Sequence, residues 1–177
     1  MTGAPLIAYK DLPNAHFLGA RGKVPPLEKA LAAVEGVERA LGVSIHIVDA
    51  AAVCGPGHLA SALLHARRAH ERGRGRARSL KVEVFLYLAG QRQIGSALDT
   101  AGLSPKTTAV GIAVEGTAGK AQRAASELLG ALKLKRADKA LAPGVKKLAR
   151  LPAAAPGAGA TDFEALAMET TASLDLE

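Results

Sequence analysis

Cys54 and His58 are the first residues whose types and spacing could do chemistry, as a thiol nucleophile and its base. Cys54 follows a stretch that reads as a buried strand, however, and Asp49 is the sole evident carboxylate that could orient the imidazole. The cysteine therefore reads as a structural thiol. His58 and His65 lie seven residues apart on one helix face, beyond the i, i+4 spacing at which two imidazoles share a metal. No cluster of Cys or carboxylates supplies further ligands, so both histidines read as facing solvent or a nucleic acid. Glu71 and Glu83 are isolated, which leaves no acid and base pair. Gly116-Thr117-Ala118-Gly119-Lys120-Ala121 hints at a phosphate loop, but its glycines are too close and no Ser or Thr follows the lysine to hold magnesium. Gly73-Arg74-Gly75 lacks a third glycine at the dinucleotide-binding spacing and follows a helix. Catalysis finds no foothold, and neither a catalytic residue, a metal nor a cofactor is expected.

One constellation survives. In LAGQRQIGSALDTAGL, Leu88 to Leu103, the residues Ile94, Ala97, Leu98 and Ala101 form the apolar stripe of a short helix. Gly102 is placed to stop it in a left-handed conformation. Gln91, Arg92 and Gln93 occupy its start. A cation there opposes the helix dipole by a few tenths of a kcal/mol to about 1 kcal/mol. An anion beside the free backbone N–H groups would justify that cost: such groups bind phosphate, and Arg92 adds a planar, bidentate, stackable donor.

The chain has 177 residues, of which 49% are hydrophobic, enough for one domain with a sizeable core. No run reaches the roughly 20 apolar residues of a membrane span. MTGAPLIAYKDLPN lacks the basic-then-apolar order of a signal peptide, and the lone Cys54 can form no internal disulfide. A reducing, cytoplasmic setting without a membrane partner is expected. The formal charge of +7 points to an anionic partner. From Arg67 to Arg92 the basic residues Arg67, Arg68, Arg72, Arg74, Arg76, Arg78, Lys81 and Arg92 stand against only Glu71 and Glu83. A second basic stretch runs from Lys120 to Arg150, and the sign then reverses at Asp162, Glu164, Glu169, Asp175 and Glu177. Aromatic residues make up 3%, which argues against aromatic platforms for stacking bases.

The elements that must position these residues follow from periodicity. Leu6–Tyr9 and His16–Ala20 read as short strands around the turn-prone DLPN. Pro26 opens a helix with the stripe Leu27, Leu31, Val34, Val37 and Leu41, closed by Gly42. Val43–Ala50 alternates and is rich in β-branched residues, as a strand does. Gly55 and Pro56 open a helix that Gly73 ends, with Leu59, Ala62, Leu63, Ala66 and Ala69 inward. Its opposite face is one polar and basic stripe: His58, Ser61, His65, Arg68 and Arg72. The next piece reads two ways. Lys81-Val82-Glu83-Val84 alternates like a strand, whereas Leu80, Val84, Tyr87 and Leu88 fit a helix buried on most sides and capped by Ser79. Thr107–Val114 reads as a strand and Lys120–Leu132 as a helix. PAAAPGAGA reads as a linker, and Thr161 with Glu164 as the capping box of a short acidic helix. That helix is expected outside the core, able to fold back on the basic stripe as an electrostatic screen. The expected fold is α+β, a small antiparallel or mixed sheet packed with helices, in a single domain over residues 1–151. The linker and acidic tail occupy 152–177.

SLKVEVFLYLAGQRQIGSALDTAG resembles the signature of the TPRKB-like subunit of the KEOPS complex. The matching features are Val82-Glu83-Val84, then Ala89-Gly90-Gln91-Arg92-Gln93-Ile94 leading into a helix, with a His-Leu helix start and a basic connection upstream. The likeness spans roughly Val43 to Glu115. It implies that the Leu80 segment is a helix. It also implies a non-enzymatic subunit that contacts the complex's small atypical kinase and holds the single-stranded 3′ CCA end of tRNA, in support of threonylcarbamoylation of adenosine 37. The RNA-binding residues expected on this basis are Arg92, Gln91, Gln93, Ile94, Lys81, Arg78, Arg68, Arg72 and His65. They form one positive surface if the three consecutive helices pack as neighbours. Ile94 is expected inward, or partly under a base. The alternative is a regulatory module that acts only on a kinase partner, without RNA.

Overall fold

A computed structural model describes residues 5–152 and 162–176. Its sheet is antiparallel throughout, in the order β1 (Ile7–Tyr9), β2 (Leu12–Arg21), β4 (Ala109–Glu115), β3 (Ser44–Asp49), with the two-residue β5 (Lys135–Arg136) pairing the end of β2. Side chains alternate along the strands. Leu18, Ala20, Ile45, Ile47, Val110, Ile112 and Val114 face one layer of helices, α1 (Leu27–Leu41) and α5 (Ala118–Leu132). Ala15, Phe17, Val48 and Ala113 face the other, built on α2 (Pro56–Glu71) and α3 (Leu80–Ala89). Both faces are therefore dry, and the fold is an α+β domain of three layers. Phe17 and Leu18, neighbours on β2, are each 0% exposed and anchor opposite cores. Each such burial is worth about 1.5–3 kcal/mol. No described helix is long and apolar enough to cross a membrane.

The Leu80 segment is helix α3. Glu83, Val84, Leu86, Tyr87, Leu88 and Ala89 are all buried, so no polar stripe betrays its 3.6-residue period. Ser79 stands at its N-cap without a side-chain bond, and Gly90 closes it in the left-handed conformation (φ 61°). The QRQ turn then leads into α4 (Ile94–Ala101). Helices α2, α3 and α4 pack as consecutive neighbours.

Several expectations need correction. Leu12-Pro13-Asn14 belongs to β2, and the turn before it is tighter, at Lys10 and Asp11. In α1 the buried residues are Ala30, Val34 and Val37, while Leu27 (51% exposed) and Leu31 (46%) face outward. Ile94 is not inward either: Ala97 and Ala101 reach the core, leaving Ile94 and Leu98 at 43% and 40% exposure. The small residues bring α4 close, and the rim of its stripe stays in water. Gly102 ends α4 with an extended backbone (φ −73°), not a left-handed one.

The largest correction concerns the tail. Helix α7 (Phe163–Ser173) lies on α2 and α3, beside α6 (Val145–Leu148), with Ala167, Thr170 and Thr171 buried. Ala167 completes a small core with Cys54, Leu148 and Leu151. Small residues explain the close docking. Gly90 carries no side chain where a Cβ would fall 2.6 Å from the Thr170 methyl, and Thr171 donates to the Tyr87 carbonyl at 3.2 Å. Its cap is the Asp162 carboxylate, which accepts from the Ala165 N–H. The linker expectation over 153–160 and Thr161 of the expected capping box lie outside the described residues.

Candidate anion-binding surface

Helix α2 begins at Gly55-Pro56-Gly57, where backbone N–H groups lack helical partners. The Glu164 carboxylate of α7 fills that position and accepts from the Gly57 N–H. A Cβ at Gly55 or Gly57 would collide with it, so both glycines serve this approach. The Cys54 thiol donates to the Phe163 carbonyl at 3.3 Å. Burial, foremost among several influences, pushes that thiol up, which removes it further from nucleophilic use. His58 is corrected from a solvent- or nucleic-acid-facing group to a fully buried one whose Nδ1 accepts from the Cys54 N–H at 3.1 Å. Burial, reinforced by the Lys147 charge, lowers it to about 4.

That shift predicts a pH dependence. The unfolded imidazole binds a proton near pH 6.5 and the folded one only near 4, so stability is lost as pH falls through this window. The gap in unfolding free energy between the wild type and His58→Asn should narrow by about 3 kcal/mol between pH 7 and pH 4. Urea unfolding at both pH values measures it. A constant gap would mean that the ring is charged or exposed in the folded state.

Further along α2 the stripe does emerge at the surface. Arg68 and Arg72 join Arg74 and Arg76 around a cleft of about 240 Å³, with Tyr87 and Asp175 completing it. The intervening loop is pinned from beneath by Glu83, 1% exposed, which accepts from the Ala77 N–H at 2.6 Å. His65 stacks on Tyr87, ring centroids 5.9 Å apart, and its Nδ1 pairs with Asp175. Tyr87 donates to the other Asp175 oxygen at 2.6 Å. Burial opposes the Asp175 charge, but the bonds from Tyr87 and His65 and the nearby Arg72 hold its carboxyl below the usual carboxylate range.

The QRQ turn borders a second, more open cleft. Gly90, Gln91, Arg92 and Gln93 form one side, and Pro152, Ser173 and Leu174 the other. Arg92 and Gln93 are exposed and Gln91 is half-buried. Leu174 lines both clefts, so the last described turn, Leu174–Leu176, stands between them. Of the expected residues, the structure thus brings His65, Arg68 and Arg72 to one side of this turn, and Gln91, Arg92 and Gln93 to the other. Arg78 is exposed but lines neither cleft. Lys81 is turned onto α1, where both Glu38 oxygens hold its ammonium at 2.6 and 2.7 Å. Arg74 and Arg76 belong to the basic stretch of the sequence but not to the expected site. Asp175 belongs to the acidic tail expected to fold back on the basic stripe, and no sequence signal marks Tyr87 as part of the site.

A third cleft, of about 500 Å³, contains Arg21, Lys106, Lys147 and Arg150 together with Asp49 and Asp99. The Lys147 ammonium is committed to the Ala140 carbonyl at 2.6 Å, and Asp49 to the Ala51 N–H and Thr107 hydroxyl.

A family model described as the kinase-binding protein CGI-121 matches residues 9–142, which include the basic face of α2, α3, the QRQ turn and α4. Helices α6 and α7 lie beyond the match. No curated protein matches the chain.

Proposed function

The chain belongs to the CGI-121 family of kinase-binding proteins, and from this premise we propose that it is a non-catalytic subunit of the KEOPS complex. In this role it docks the small atypical kinase and holds the single-stranded 3′ CCA end of tRNA, supporting N6-threonylcarbamoyladenosine formation at position 37. The observation that carries the RNA part is the placement of the four-arginine cleft and the QRQ turn on either side of one short turn. A single-stranded RNA end offers phosphates, 2′-hydroxyls and unstacked bases. The arginines and the N–H groups at the start of α4 suit phosphates, Gln91 and Gln93 suit base edges, and Arg92 can pair or stack. Ile94, half in water, is available beneath a base.

Gel shifts of intact tRNA against tRNA lacking its 3′ CCA test the reading, at two salt concentrations. Binding should depend on the CCA and fall steeply with salt, since each neutralised phosphate releases counterions. Arg92→Glu should weaken tRNA binding roughly tenfold or more while kinase association persists, because it removes a donor and repels phosphate. Arg92→Lys should recover only part, since a point charge neither stacks nor bonds in bidentate fashion. Melting curves of the variants accompany the titrations. Unchanged affinity in a folded Arg92→Glu removes the QRQ turn from the site.

The alternative, a module acting on a kinase alone, draws support from a different face. Leu27 and Leu31 are exposed on α1, beside an apolar groove formed by Val34, Ile45, Ile47, Val82 and Phe85. Kinase binding without salt-sensitive tRNA binding would favour it.

A further inference from the structure

Asp175 stands at the edge of the fold, in the last described turn. Its side chain is 35% exposed, and the next residue, Leu176, is 86% exposed. Helix α7 is anchored without it, through Glu164 on the α2 start, Ala167 in the small core and Thr171 on Tyr87. Leu174–Leu176 is a single 3-10 turn at the end of that helix. Of its residues Leu174 alone is buried, against the core under α2 and α3, so lifting the turn uncovers one leucine that the bound ligand must offset. Yet the Asp175 carboxylate receives the Tyr87 hydroxyl and the His65 ring nitrogen, under the field of Arg72, in a cleft with three further arginines. A hydroxyl, an imidazole and several guanidinium groups around one oxyanion make a phosphate seat.

We propose that the turn Leu174–Leu176 is a displaceable plug, with the Asp175 carboxylate standing where a phosphate of the ligand binds. Lifting the turn removes Leu174 from between the two clefts. The arginine cleft and the QRQ cleft then become one groove, suited to a phosphodiester chain whose phosphates lie against Arg68, Arg72, Arg74 and Arg76 and whose bases reach Gln91 and Gln93. The tail lies beyond the family match, so the plug is a property of this chain rather than of the matched region. The proposal rests on the RNA reading for the identity of its ligand, but not for the oxyanion seat itself.

With a tethered competitor, apparent affinity falls in proportion to the fraction of molecules left open, so a site blocked in about nine molecules of ten binds roughly tenfold more weakly. Asp175→Asn keeps an acceptor for Tyr87 and removes the charge. The full-length wild type, Asp175→Asn and Glu169→Gln are titrated calorimetrically with inorganic pyrophosphate and with a single-stranded ACCA oligonucleotide. The His65 ring resonance is followed by NMR. Glu169 is exposed on α7 and controls for bulk charge.

Asp175→Asn should bind both probes roughly three- to tenfold more tightly than the wild type. Glu169→Gln should behave as wild type, and saturating pyrophosphate should shift the His65 ring signal as Asp175 leaves. A gain for pyrophosphate with no RNA binding by any form supports the plug and overturns the RNA reading. Equal affinities in wild type and Asp175→Asn, an equal gain in Glu169→Gln, or a His65 signal unmoved at saturation each overturn the plug.

Discussion

Truncation after Leu151 is expected to lower the melting temperature by about 10 °C. The loss has three parts. Cys54, Leu148 and Leu151, none more than 4% exposed, lose their cover from Ala167 and its neighbours. The Gly57 N–H loses the Glu164 carboxylate, and with it the negative charge at the positive end of the α2 dipole. The Thr171 hydroxyl no longer binds the Tyr87 carbonyl. Summed, this is about 3–5 kcal/mol, and a domain of this size loses roughly 2–4 °C for each. Calorimetry on the full and truncated chains measures it. Equal melting temperatures would mean that α7 is undocked in solution, and would restore the reading of residues 152–177 as a detached appendage.

Glu83→Ala should cost about 2–4 kcal/mol and weaken RNA binding without removing any group that touches RNA. The carboxylate is buried against the Ala77 N–H and stands 3.7 Å from His70. Alanine leaves that N–H without its acceptor in a place water does not reach, and opens a cavity under the loop that carries Arg74 and Arg76. The four-arginine cleft then loses its shape while keeping its charge. Glu83→Gln retains an acceptor oxygen and should lose less of both properties. Urea unfolding and tRNA titration of the two variants give the comparison. Alanine and glutamine variants of equal stability would show that Glu83 is not the pin of this loop.

The sequence reveals this fold wherever period and environment agree. β3 and β4 are short apolar runs rich in β-branched residues, as strands buried on both faces are, and α5 shows its stripe because one side faces water. In α3 the period is masked, since a helix buried on most sides offers no contrast between faces. The family resemblance, not the pattern, resolves that segment. The site divides along the same line. His65, Arg68 and Arg72 share a helix face, so spacing finds them, whereas Arg74 and Arg76 sit in a loop with no period to read. Lys81 is misplaced by spacing alone because its direction depends on Glu38, on a helix far away in the chain. The docking of α7 is least legible of all. It depends on the fit of Gly55, Gly57 and Gly90 to residues more than seventy positions away, and no local signal carries that.

The chain has a single cysteine, and it lies beneath the helix whose docking matters most. Cys54 is 0% exposed, with its thiol on the Phe163 carbonyl. A thiol reagent therefore labels it only when the cover that α7 forms together with Gly144, Leu148 and Leu151 opens. The rate of labelling, divided by that of an unstructured thiol, is the fraction of time this cover is open when reclosing outpaces the reagent. The protein thus carries a built-in clock for its own tail. The same clock, read with and without tRNA, separates a ligand that moves only the last turn from one that pulls the whole helix away.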